Sequence, residues 1–163
     1  MIPVRPAVAS DAEAIADILV PIVRAGETYA LDRDITPEQI LAYWHAPGNS
    51  VFVAEVDGAV LGSYFCRANQ AGGGRHVANC GYATDAAATG RGIARAMAVH
   101  SLAHAQAAGF RAMQFNFVVA SNVRAVRLWR SLGFEQVGCL PGAFEHPTLG
   151  EVDALVLYRR LRP

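Results

Sequence analysis

Thr84-Asp-Ala-Ala-Ala-Thr-Gly-Arg-Gly-Ile-Ala94 is the stretch on which the fold turns. A strand-like run, His76 to Thr84, stops there and a loop of small residues follows. Gly90-Arg91-Gly92 then opens an Ala-rich helical stretch that reaches Ala108 and stops at Gly109. The first N–H groups of a helix lack internal partners, and the aligned peptide dipoles favour negative charge beside them. Two glycines let backbone come close to a ligand, and Arg91 and Arg95 add positive charge. In physical terms this is either a pyrophosphate cradle or a turn that merely needs glycine. It is not a P-loop, because no Gly-Lys-Ser/Thr follows, nor a GxGxxG dinucleotide fingerprint.

Working outward, Arg111 to Val119 reads as a strand, Asn122 to Leu132 as a helix closed by Gly133, and Phe134 to Leu140 and Val152 to Leu161 as strands. Upstream, Val51–Val56 and Ala59–Cys66 flank Asp57-Gly58, the signature of a hairpin with a tight turn. Asn69 to Arg75, with three consecutive glycines, reads as a flexible loop. Thr36-Pro37-Glu38-Gln39 starts a short helix reaching about His45, with Pro where no N–H is needed. Ser10-Asp-Ala-Glu13 reads as a capping box ahead of Ile15, Ile18, Leu19, Ile22 and Val23, with Gly26 ending the run. No repeat or linker interrupts this order, which predicts one mixed α/β layer domain over residues 1–163.

A chain of 163 residues removes roughly 70% of its unfolded surface from water, enough for a core without staples. With 53% hydrophobic and 17% charged residues, disorder is excluded. No apolar run reaches the roughly 18 residues of a membrane span and the N-terminus lacks a signal-peptide core, so a soluble, cytoplasmic protein with no membrane partner is expected. The zero net charge argues against a nucleic-acid binder that relies on bulk charge. The distribution says more: residues 86–134 carry six Arg and no acid, a local anion site inside a neutral protein. The absence of Lys, with abundant Ala, Gly, Arg and Pro, matches the codon usage of a GC-rich bacterial genome. Cys66, Cys80 and Cys139 are widely spaced with no CxxC and read as free thiols. His100 and His104 share a helix face but imply no third ligand, so no metal is expected.

Asn122-x-x-Ala125-x-x-Leu128-Trp129-x-x-Leu132-Gly133-Phe134, with the Gly-rich turn 30 residues upstream, resembles the GNAT superfamily of N-acetyltransferases. The superfamily's R/Q-x-x-G-x-G/A motif corresponds to Thr89-Gly90-Arg91-Gly92-Ile93-Ala94, and the order of elements matches along nearly the whole chain. The resemblance implies an acyl-CoA N-acyltransferase fold of about seven strands and four helices. Its mixed sheet would split between the fourth and fifth strands, with acetyl-CoA lying in the split. It implies backbone contacts from Tyr82, Ala83 and Thr84 to the pantetheine arm and the acetyl carbonyl, pyrophosphate contacts from Thr89 to Ala94, and a pantetheine contact from Asn122. The Arg-rich segment would then face the nucleotide end of the coenzyme.

Three positions depart from the pattern. Thr89 stands where Gln or Arg is usual, which matters little if binding there is by backbone. Trp129 stands beside the coenzyme in place of a Tyr that often protonates the leaving thiolate, and an indole donates a hydrogen bond but is no practical acid. Trp129 is thus either a cofactor contact or a core aromatic, and Tyr82, Tyr64, water or the amine's own proton would serve the sulfur. Asn79 falls where relatives place a Glu acting as general base; an amide can orient an amine or a carboxylate, or simply satisfy backbone. Asn116 on the neighbouring strand is a second such group. Deprotonation would then pass by water to Glu27, Glu145, His146 or Asp153, with Glu27 sitting where the family builds its acceptor pocket.

The N-terminal half and the run Gly138–Pro147 resemble the phosphinothricin acetyltransferase branch, whereas His76–Asn79 with Asn116 resembles yeast acetyltransferases acting on proline analogues. Both imply a small amino-acid-like amine as acceptor, with Arg75, Asn79 and Asn116 as candidate holders of its carboxylate. A homodimer is implied by the resemblance alone. Two rivals stay open: a protein or peptide N-terminal acetyltransferase, and a non-catalytic acyl-CoA sensor in which both customary proton-transfer residues are absent.

Overall fold

A computed structural model describes residues 1–161. The chain runs β1 (Val4–Pro6), α1 (Ala12–Ala25), α2 (Pro37–Trp44), β2 (Ser50–Val56), β3 (Ala59–Ala68), β4 (Val77–Thr84), α3 (Ile93–Ala107), β5 (Ala112–Val119), α4 (Val123–Ser131), β6 (Glu135–His146) and β7 (Gly150–Arg160). Seven strands form one mixed sheet in the order β1-β2-β3-β4-β5-β7-β6. Every neighbouring pair is antiparallel except β4 and β5. The expected mixed α/β fold, with four helices and seven strands, is the one observed.

Two apolar layers sandwich the sheet. Ile15, Leu19 and Val23 of α1 and Ile40 and Trp44 of α2 pack on Val53, Phe65 and Ala83. On the opposite face Ile93 and Met97 of α3 and Val126 and Trp129 of α4 pack on Tyr64, Met113, Phe115 and Leu157. Each large side chain buried this way contributes about 1.5–3 kcal/mol. The alternation of the two sets along β3, Tyr64 to one face and Phe65 to the other, is the period-2 pattern of a strand covered on both sides.

Several local signals act as the sequence predicts. Thr36 Oγ1 accepts the Gln39 N–H at 3.2 Å while Gln39 Oε1 accepts the Thr36 N–H at 2.9 Å, a reciprocal cap. Gly26 ends α1 in the left-handed region at φ 66°. The Ser10–Glu13 box, by contrast, is not what starts α1. A 3₁₀ turn over Ala9–Asp11 precedes the helix, and Asp11 accepts the Val8 N–H at 2.8 Å and pairs with Arg5 at 2.8 Å. Asp11, not Ser10, stands at the N-cap position of α1, and its carboxylate reaches back to the preceding turn instead of capping the helix. β1 was not among the expected strands, because three residues are too short to show a period. β6 runs beyond Leu140 to His146, and its Pro141 is tolerated because this is an edge strand. The glycine-rich loop before β4 folds into a 3₁₀ turn over Gly72–Gly74.

Candidate active site

The parallel seam between β4 and β5 lasts only two positions, Val77 opposite Ala112 and Ala78 opposite Met113. Beyond them β4 stays with β3 through Thr84, while β5 follows β7. The sheet therefore splits. At the apex Asn79, 8% exposed, donates from Nδ2 to the Gln114 carbonyl at 2.9 Å and clasps the two strands where backbone pairing ends.

Ladder parity decides which groups face the split. Asn69 N–H bonds to the Val77 carbonyl and Asp85 N–H to the Leu61 carbonyl, so the odd residues of β4 pair with β3. Cys80, Tyr82 and Thr84 consequently turn their backbone groups the other way, into the split. Ala83, opposite Ser63, directs its backbone to β3 instead. The Tyr29 hydroxyl, from the α1–α2 loop, donates to the Tyr82 carbonyl at 2.7 Å.

At the far end of β4 the chain turns through a 3₁₀ segment, Ala86–Ala88, held by Asp85 Oδ1 accepting the Ala87 N–H at 2.7 Å. Gly90 and Gly92 then adopt φ 85° and 83°, a region where a side chain is strained, and α3 begins at Ile93. Among the described residues the N–H groups of Gly90, Gly92, Ile93, Ala94 and Arg95 have no partner in the protein. A Cβ at Gly90 would meet nothing within 4 Å, so the N-terminus of α3 opens onto free space. Arg91 is exposed beside it, while Arg95 donates to Ser131 Oγ at 2.8 Å and ties α3 to α4. Five convergent donors without partners, an unopposed dipole and an Arg suit a phosphate group.

The side chains near the split divide between structure and access. Tyr82 stacks on Tyr64 at 5.5 Å and tilts against Trp129 at 4.8 Å. Its hydroxyl lies 2.7 Å from Ser101 Oγ, whose own proton goes to the Ala98 carbonyl, so Tyr82 donates into α3. Burial pushes its pKa well up. What Tyr82 offers the split is backbone. Trp129, 7% exposed, also lies against Phe115 and Phe134 and belongs to the core. Asn122 caps α4, its Oδ1 accepting the Ala125 N–H at 3.3 Å.

Two clefts meet the α1–α2 loop. One, about 280 Å³, is lined by Glu27, Thr28, Ser121, Asn122, Arg124 and His146. Its His146 accepts the N–H groups of Thr148 and Leu149 at Nδ1, at 3.2 and 3.3 Å, so that this nitrogen is engaged in the β6–β7 turn. The other, about 640 Å³, lies under Tyr29 and Leu31, with Asp32, Asp34 and Glu145 around it. Asn116 lines neither: its amide donates to Asn69 Oδ1 at 2.6 Å and its oxygen accepts from Gln114 at 2.9 Å. Asp153 accepts the Gly142 N–H at 3.0 Å and the Cys139 thiol at 3.6 Å, which braces the β6–β7 hairpin.

A family model described as the acetyltransferase (GNAT) family matches residues 13–134, from the first turn of α1 to the end of the α4 motif. The chain belongs to the GNAT family. It is 26% identical over 137 residues to the N-acetyltransferase aca1 of Schizosaccharomyces pombe, which covers 74% of this chain and 66% of that protein's length. Among solved structures, a GNAT N-acetyltransferase from Kribbella flavida superposes with a TM-score of 0.92 at 44% identity, covering 98% of this chain and 97% of that one. A phosphinothricin acetyltransferase from Sinorhizobium meliloti, solved in complex with acetyl-CoA, shares the fold with a TM-score of 0.86 at 22% identity, covering 98% and 88%.

For a GNAT protein the split and the α3 terminus are thus assembled from the two motifs seen in sequence, Thr84–Ala94 and Asn122–Phe134. Residues that sequence reasoning passed over also meet here. Tyr29 reaches Tyr82 across 53 positions and Gln114 receives Asn79 across 35, contacts that leave no local mark. Arg67, opposite Asn79 in the β3–β4 ladder, was signalled only by register.

Proposed function

We propose that this GNAT acetyltransferase transfers acetyl from acetyl-CoA to the amine of a small amino-acid-like molecule. The observation that carries the reading is the two-position β4–β5 seam, opening into a split that ends at the unpaired amides of α3. In this reading the amides of Gly90, Gly92, Ile93 and Ala94 hold the pyrophosphate with the Arg91 side chain, those of Thr89 and Arg91 being bonded to the Ala86 and Ala88 carbonyls. The backbones of Tyr82 and Thr84, with Asn122, hold the pantetheine arm. The Tyr82 N–H faces the acetyl carbonyl and stabilises the oxyanion as the amine adds. Approximation of the two substrates supplies much of the rate.

Glu27 is the base in this scheme. It stands in the same cleft as Asn122, whereas Asp153 is engaged in the hairpin and Nδ1 of His146 in the β6–β7 turn. Glu27 takes the proton of the attacking amine, and the departing thiolate, a weak base, is protonated by solvent. The acids around the larger cleft, Asp32, Asp34 and Glu145 against Arg33, favour a cationic amine. Arg67 and Arg75 are the positive groups for an acceptor carboxylate, and Asn79 orients the acceptor only through the strands it clasps.

The test is thiol release from acetyl-CoA with free amino acids, phosphinothricin, methionine sulfoximine, proline analogues, polyamines and short peptides. Turnover confined to one small amine bears out the reading. Turnover with peptides alone would transfer the protein to the N-terminal acetyltransferases. Acetyl-CoA binding with silence across the panel would favour a sensor.

A further inference from the structure

Cys66 on β3 and Cys80 on β4 are directly opposite one another. The ladder's parity makes theirs a non-hydrogen-bonded pair, the kind in which Cα atoms approach to about 4.5 Å. That lies within the about 4.4–6.8 Å range that a disulfide spans without moving backbone. The two side chains point to the same face of the sheet, beneath α3. Both are buried, at 2% and 8% exposed, and their pair follows the stacked Tyr64–Tyr82 pair along the same ladder. Neither takes part in the chemistry proposed above. The third cysteine, Cys139, is exposed on β6 and remote from them in the sheet order.

We infer that Cys66 and Cys80 are a thiol modification site that closes reversibly to a disulfide across β3 and β4, in the wall of the split. The oxidant is hydrogen peroxide. The Cys66 sulfur attacks one peroxide oxygen, the O–O bond breaks, and water leaves with a sulfenic acid formed. The Cys80 sulfur then attacks the Cys66 sulfur, the S–O bond breaks, the S–S bond forms and a second water leaves. Two thiols lose two electrons and one hydrogen peroxide gains them. The order follows from the environment: the contact with Cys80 holds the Cys66 thiol down, while burial pushes the Cys80 thiol up, so Cys66 is the better nucleophile. The bridge would staple β4 next to Asn79, at the apex of the split. The pairing chemistry does not depend on what the split binds.

The experiment uses the full chain carrying Cys139→Ser, which removes intermolecular bridges. After hydrogen peroxide treatment the protein is denatured, alkylated with iodoacetamide and weighed intact. The expected product has lost two hydrogens, takes up no alkyl group, and regains two alkylatable thiols after dithiothreitol. Its Tm under non-reducing conditions is raised, because the bridge constrains the unfolded chain. Cys66→Ala and Cys80→Ala, each made separately, should both abolish the two-hydrogen loss, so failure of one variant to fold leaves the other. Two free thiols after peroxide, or independent conversion of either one to sulfinic acid, would overturn the proposal.

Discussion

Asn79 and Glu27 hold very different positions around the proposed site. Asn79 is buried at the apex and its amide is the last link between β4 and β5. Asn79→Ala leaves the Gln114 carbonyl without its donor, and we expect a loss of about 1–3 kcal/mol in urea denaturation. A loss of turnover without a loss of stability would instead assign the amide to the acceptor. Glu27 is exposed, is not hydrogen-bonded to any described side chain, and stands in the cleft of Asn122. Glu27→Gln should lower kcat by about 10²–10⁴, the usual worth of a positioned base, and leave the acetyl-CoA Kd unchanged by calorimetry. Unaltered kcat would remove Glu27 from the chemistry. Sequence placed Asn79 on the right strand next to the right loop, yet nothing local could reveal that its amide is spent on Gln114. The partner is fixed by the β4–β5 register, 35 residues away.

Elements were legible where local physics decides them. The reciprocal cap of Thr36 and Gln39, the Asp57-Gly58 turn and the αL stops at Gly26 and Gly133 each need only a few neighbouring residues. The Gly90–Gly92 turn belongs with them, and it is also the turn assigned to the pyrophosphate in the proposed function. Gly92→Ala places a Cβ at φ 83°, at a cost of about 1–2 kcal/mol, although the nearest atom to that Cβ is 3.9 Å away. Relieving the strain rotates the very amides proposed to hold the pyrophosphate. We therefore expect acetyl-CoA affinity to fall about tenfold or more in calorimetry, with the circular dichroism of the fold retained. Elements failed where tertiary contact overrides local signal. α1 starts on Asp11, held by Arg5 from β1, rather than on Ser10. β6 bulges over Pro141 to Ala143 and continues beyond it because Phe144 to His146 pair again with β7.

At the scale of the whole molecule, the two helical layers make stability sensitive to acid. His100 of α3 lies under Phe52 and its Nδ1 is 2.6 Å from the Tyr64 hydroxyl. His104, one turn on, packs on Phe52 as well, and burial holds both imidazoles below the ordinary 6.5. Such a group binds fewer protons folded than unfolded. Its stabilising share is complete above 6.5 and is lost as pH falls from there towards the folded value. Tm should thus drop between pH 7 and pH 5, and His100→Gln combined with His104→Gln should flatten that slope; an unchanged slope would place the acid sensitivity elsewhere. What the sequence determined by itself was the order of most elements, the glycine turn ahead of α3 and membership of an acyl-transfer fold. Periodicity, capping and positive φ act over a few residues, and a motif carries its geometry with it. Only the tertiary structure decided that Asn79 clasps the split, that Tyr29 reaches Tyr82, that Glu27 shares a cleft with Asn122, and that Cys66 meets Cys80. Those pairings depend on strand register and layer packing, which are set by the sum of many distant contacts and by no segment alone.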